Sequence, residues 1–179
     1  MMLRFALLLF GACILGACNQ SALSPDDDSS IADSALEQAA IETGIIPDPA
    51  TLNLEGLYEA GTELENDRFC AVQKGDSYNV GVFVYYGGDQ ICEGRGEGVL
   101  DGEIARLTLR ASDDDASSCE LEVVYDGTQI VFPGAIPDTC KAICARRASL
   151  AGVSIPLVES GGQSALRARG NDTQRLCSG

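Results

Sequence analysis

The sequence predicts a mainly β fold: a small antiparallel meander curled into a barrel-like or sandwich-like domain, with one or two short helices and disulfide staples. Three observations carry this expectation. From Leu54 onward, short stretches alternate apolar and polar residues with the two-residue period of strands. Turn-forming pairs such as Asp101-Gly102 and Asp126-Gly127 separate them at short intervals. Six cysteines, Cys70, Cys92, Cys119, Cys140, Cys144 and Cys177, fall within the same region.

Taken in order, residues 19–30 are polar, lack periodicity and carry the Asp26-Asp27-Asp28 run. Such a segment cannot bury enough apolar surface to order itself and reads as a self-repelling, extended tether. Ser34-Ala35-Leu36-Glu37 is a capping-box pattern, and Gly44, Pro47 and Pro49 supply a stop. A short helix over 33–43 follows, either docked on the domain or part of the tether. Strands are expected near 57–60, 67–73, 78–86, 90–98, 103–111, 119–125 and 128–132. Val80, Val82 and Val84 alternate with Gly81, Phe83 and Tyr85, so the third stretch is apolar on both faces and reads as a central strand. Gly87-Gly88-Asp89 turns the chain after it. Ala105, Leu107 and Leu109 share one face of the fifth, opposite Arg106, Thr108 and Arg110. Cys119, Leu121, Val123 and Tyr125 repeat that pattern before Asp126-Gly127, the strongest hairpin signal in the chain. A helix over 137–148 follows Pro137, capped by Asp138 or Thr139 and closed by cations that suit a helix C-terminus. Residues 150–158 read as a last strand interrupted by Pro156, and the tail is pinned by Cys177. A meander of this kind must close on itself or protect its edges.

The N-terminus is of a different kind. Arg4 precedes an apolar run from Phe5 to Leu15, followed by Gly16, Ala17 and Cys18. The run falls short of the roughly 20 apolar residues a membrane span needs, and reads as a secretory signal. Leu15-Gly16-Ala17-Cys18 resembles the lipobox of bacterial lipoprotein precursors: an aliphatic residue, two small residues and the cysteine that takes a diacylglycerol. Cys13 fits that pattern less well, because Phe10 stands where the aliphatic residue belongs. The resemblance implies cleavage before Cys18, acylation of its sulfur and a firm anchor of three acyl chains, since a single chain anchors only marginally. An ordinary secretory signal cut after Ala12 or Ala17 is the competing reading. The expected organisation is therefore a signal at 1–17, an acidic tether at 18–50 and one disulfide-bonded domain at 51–179. Asn19, rather than Asp, beside the lipidated cysteine implies the periplasmic face of the outer membrane, by analogy with lipoprotein sorting.

In an exported domain an even cysteine set reads as disulfides. Three bonds are expected, with Cys70 paired to Cys92, Cys119 to Cys140 and Cys144 to Cys177. Cys140 and Cys144, four apart, would each reach a different strand or the tail rather than each other. Three bonds suit a chain with five Phe, five Tyr and no Trp, whose core is modest.

Charge narrows the partners. Removing residues 1–17 takes away Arg4 alone, leaving 162 residues with 11 bases and 27 acids, a net −16. Residues 26–139 hold 25 acids against 5 bases, whereas 140–179 hold 6 bases against 2 acids. This balance disfavours nucleic acid and anionic headgroups. It favours a cationic protein partner, or simply keeps the surface solvated and the protein monomeric.

No catalytic constellation emerges. With no histidine in the chain, Ser-His and Cys-His catalysis and the commonest metal ligand are excluded. A Ser-Lys pair involving Lys74 or Lys141 lacks a motif, and Ser154 lacks the glycines of a nucleophile elbow. Glu97 with Glu103, or Glu120 with Glu122, could form a carboxylate pair, but nothing distinguishes them from the other acids. Gly94-Arg95-Gly96-Glu97-Gly98 has neither phosphate-loop spacing nor a following helix, and alternate glycines in a strand mark a tight bend. Asp113-Asp114-Asp115 lacks the alternate spacing of a calcium loop. The Asn171-Asp172-Thr173 sequon carries no weight in a bacterial lipoprotein. No cofactor or metal is expected. The expected function is an envelope lipoprotein whose β domain binds a protein or small ligand, with a structural or assembly accessory as the alternative and an enzyme third. Envelope lysozyme inhibitors are a precedent that the domain resembles in architecture only, without their inhibitory motif.

Overall fold

The computed structural model describes residues 35–62, 66–111 and 117–179. Cys18, the signal, the tether up to residue 34 with Asp26–Asp28, and the Asp113–Asp115 run lie outside the described residues.

The described residues form eight antiparallel strands, β1 (Gly56–Gly61), β2 (Asn66–Lys74), β3 (Ser77–Tyr85), β4 (Ile91–Asp101), β5 (Ile104–Arg110), β6 (Cys119–Tyr125), β7 (Gln129–Val131) and β8 (Ser154–Ser160). Each pairs with the next, and β8 returns to β1, so the meander closes as a barrel with no free edge. Closure is close-fitting: Gly56 faces Ser160, and a Cβ there would lie 2.8 Å from the Glu159 carbonyl. The predicted turns hold, with Gly87, Gly88, Gly102 and Gly127 all at positive φ. Pro156 sits inside β8 opposite Gln129, in a strand whose register against β1 slips between Leu57 and Tyr58. Proline is tolerated beside such an irregularity.

Alternation decides the two faces. Phe69, Val82, Leu107, Leu109, Val123, Ile130 and Ile155 point inward and are almost wholly buried. Arg68, Glu93, Arg95, Arg106, Glu120 and Glu122 occupy the outer positions. Apolar inside and charged outside is the reverse of a barrel whose strands face lipid. Both ends are closed. At one, a 3-10 turn (Pro49–Thr51), whose Asp48 accepts from the Ala50 N–H, leads into Asn53 and Leu54. There the Tyr58 hydroxyl donates to the Leu54 carbonyl at 2.8 Å and the Tyr125 hydroxyl to the Asn53 carbonyl at 3.1 Å. Burial pushes both phenols above their usual range, so they remain donors. At the other end, Ile143 packs inward, where a Cβ on Gly94 would approach it to 3.1 Å.

Two predictions are corrected. The helix expected over 137–148 is a 3-10 helix (Asp138–Ile143), with Pro137 at the cap position and no side-chain cap. Cys144 ends it by turning extended, at φ −123°, to bridge Cys92. The disulfides are Cys70–Cys177, Cys92–Cys144 and Cys119–Cys140, so one expected pair is right and two are not. Cys70 points outward on β2, Cys92 inward on β4, and β3 lies between them. Two strand spacings make about 9–10 Å, beyond the reach of a disulfide. Cys140 and Cys144 do bond to different strands, β6 and β4. The expectation that β3 is apolar on both faces holds, because the C-terminal segment covers its outer side. That segment contains α2 (Gly162–Ala165) and packs Ala165, Ala168 and Leu176 over Leu57, Val72 and Phe83. Gly81 makes room for it: a Cβ there would lie 2.5 Å from the Leu176 carbonyl. By contrast α1 (Ala35–Glu42), close to the predicted 33–43, buries no residue.

Candidate functional site

Side chains fill the barrel and chain segments cover both its ends, so the open grooves lie on its outside. A groove of about 1030 Å³ runs there along the outer face of β3, β4 and β5. Its second wall is the C-terminal segment, which ends its traverse of the barrel at β3 and β4. Cys177, bonded to Cys70, fixes that wall, and the Asn79 amide donates to the Ser178 carbonyl at 3.2 Å. Upstream, the Asn171 N–H donates to Glu93 at 2.9 Å.

The lining has an unexpected sign. Arg95, Arg106, Arg110 and Arg175 all face this groove, four of the chain's 12 basic residues, while among the described residues Glu97 is its one acidic side chain. Strand alternation puts Arg106, Thr108 and Arg110 on one face of β5, and register sets Arg95 directly across from Arg110. Like charges opposed on neighbouring strands are destabilising. Arg95 is partly compensated by Glu93 at 2.6 Å and by Asp172 at 3.8 Å, although its Nε is buried without an acceptor. Arg106 pairs with Glu122 at 3.0 Å and Asp101 at 3.6 Å, and Glu97 is held by Lys74 at 3.2 Å. Among the described residues, Arg110 and Arg175 have no ion pair.

The other candidates separate. Lys74 and Lys141 sit in surface ion pairs with Glu97 and Asp138. Ser154 bonds the Gln129 side chain at 2.8 Å. Glu120 and Glu122 point outward from β6, the latter toward Arg106. Glu97 lies within β4, whereas Glu103 lies in the turn after it. Gly94, Gly96 and Gly98 belong to β4, and at Gly96 the neighbouring backbone comes close: a Cβ there would lie 1.9 Å from the Thr108 carbonyl. Among the described residues no cluster of three or more Cys, Asp and Glu could hold a metal. The six cysteines are all bonded. Sequence reasoning missed the arginine groove. Its available signal was the outward Arg106-Thr108-Arg110 row, but the second wall comes from residues more than sixty positions away.

Comparison with protein-family models, curated proteins and solved structures finds no match.

Proposed function

We propose that this chain is an exported envelope lipoprotein, cut before Cys18, anchored through that sulfur at the periplasmic face of the outer membrane, and acting as a binding module rather than an enzyme. The lipobox-like Leu15-Gly16-Ala17-Cys18 supports the anchor, and three disulfides suit an oxidising compartment. The observation that carries the binding reading is the groove itself. A filled barrel gives it a rigid floor, and a disulfide fixes its opposite wall. Binding sites work best when their supports are held this way. Net charge favours a cationic protein at long range, but the groove presents the opposite sign, and we take the groove as the site.

Two measurements test this. A Cys18→Ser variant is expected in the soluble envelope fraction while the wild type sediments with membranes; a variant that still sediments overturns the anchor. Crosslinking from a photoreactive residue at position 108 in intact cells, read by mass spectrometry, is expected to capture one discrete species. A ladder of unrelated products, matched by a probe at exposed position 36, overturns the module.

A further inference from the structure

We propose that the groove binds a phosphorylated polyol, with Arg110 and Arg175 taking the phosphate. This deepens the binding-module reading and rests on it. The argument starts from charge. A guanidinium presents a planar fork that matches phosphate or carboxylate bidentately. Two such groups in this groove have no acid partner among the described residues, and a third, Arg95, is forced across from Arg110 by strand register. A doubly charged group neutralises both unpaired cations, whereas one carboxylate leaves a cation over. The second basic hollow, beside Lys141, Arg146 and Arg147, lacks this feature. There Lys141 is paired with Asp138 and Arg146 with Asp89.

Size and lining define the rest of the ligand. About 1030 Å³ greatly exceeds one phosphate ion, so the phosphate arrives on a larger body. Asn79, Thr108 and Gln174 line the groove and offer amides and a hydroxyl to polar groups of that body. Among the described residues no aromatic side chain lines it, so they offer base stacking no platform. Acids elsewhere on the chain do not forbid an anion, because at physiological salt charges beyond about 8 Å are largely screened.

The test titrates the 15N-labelled full chain, in neutral detergent at constant ionic strength, with glycerol 3-phosphate, inorganic phosphate and acetate. Saturable amide shifts are expected around Asn79, Thr108, Arg110 and Gln174, with acetate at least about tenfold weaker than either phosphate. R110Q/R175Q should weaken glycerol 3-phosphate at least about tenfold with an otherwise unchanged spectrum, and R110K/R175K should fall between. R147Q should bind as the wild type. Vesicles of phosphatidylcholine with and without phosphatidic acid, floated with each variant carrying Cys18→Ser, distinguish a lipid-borne from a free phosphate. Arginine-dependent flotation means the former, and soluble binding alone the latter. No saturable shift with any phosphate and no arginine-dependent flotation, or shifts centred on Lys141–Arg147, would overturn the assignment. So would a double variant that binds normally. The crosslinking result above stands or falls separately.

Discussion

Replacing Gly96 by alanine tests the physical origin of the barrel's curl. An added Cβ would sit 1.9 Å from the Thr108 carbonyl oxygen and 3.0 Å from its carbon, both on the neighbouring strand's backbone. Contacts below 3.0 Å essentially do not occur, so β4 and β5 must separate by about 1 Å, and no side chain can rotate away to prevent it. Overpacking costs roughly 1–3 kcal/mol, and weakening one or two ladder bonds adds about 1 kcal/mol each. A loss of about 2–5 kcal/mol follows. Gly98→Ala meets the Leu107 side chain at 2.9 Å and Val80 at 3.2 Å, which can yield, so roughly 1–2 kcal/mol is expected. Gly134→Ala meets nothing within 4 Å and should stay within about 0.5 kcal/mol of the wild type. Urea unfolding followed by far-ultraviolet circular dichroism, with disulfides intact, reads the series. A Gly96→Ala protein as stable as Gly134→Ala, or a Gly98→Ala protein that suffers more, refutes the steric account.

Two further outcomes follow. Removing the disulfides one pair at a time to alanine should destabilise in the order of loop length. For sequence separations of 107, 52 and 21 the chain-entropy estimate is about 5, 4 and 3 kcal/mol for Cys70–Cys177, Cys92–Cys144 and Cys119–Cys140. Melting temperatures that do not follow this order contradict it. Asp126 accepts from Thr128 N and Oγ1 and from Gln129 N and Nε2, between 2.7 and 3.0 Å. Burial works to raise its pKa, yet those bonds outweigh it and hold the carboxyl below the usual value of 3.8. Its contribution is therefore complete above about pH 4 and is lost as pH falls through the lowered folded value. Asp126→Ala should cost about 1–2 kcal/mol at pH 7, with the gap to wild type narrowing below pH 4. A gap constant down to pH 2.5 contradicts the linkage.

The strands were legible because each reports itself locally. Alternation in 103–111 and 119–125, and glycine at the turns, depend on neighbours a few residues away. Where a nearby residue answers to a distant one, the reading failed. The 137–148 helix shortened because Cys144 must lie extended against Cys92, a demand that helical periodicity does not encode.

What the sequence determined by itself was an antiparallel meander, barrel-like or sandwich-like, of eight runs with turn-forming glycines and six cysteines oxidised in pairs; closure came from β8 meeting β1. Tertiary structure decided which cysteine meets which, because pairing depends on the face each strand turns outward, and β2 and β3 are apolar on both. It also decided where charge gathers. Arg95, Arg110 and Arg175 are scattered along an acidic chain, and only barrel register and the disulfide-held C-terminal segment bring them to one groove.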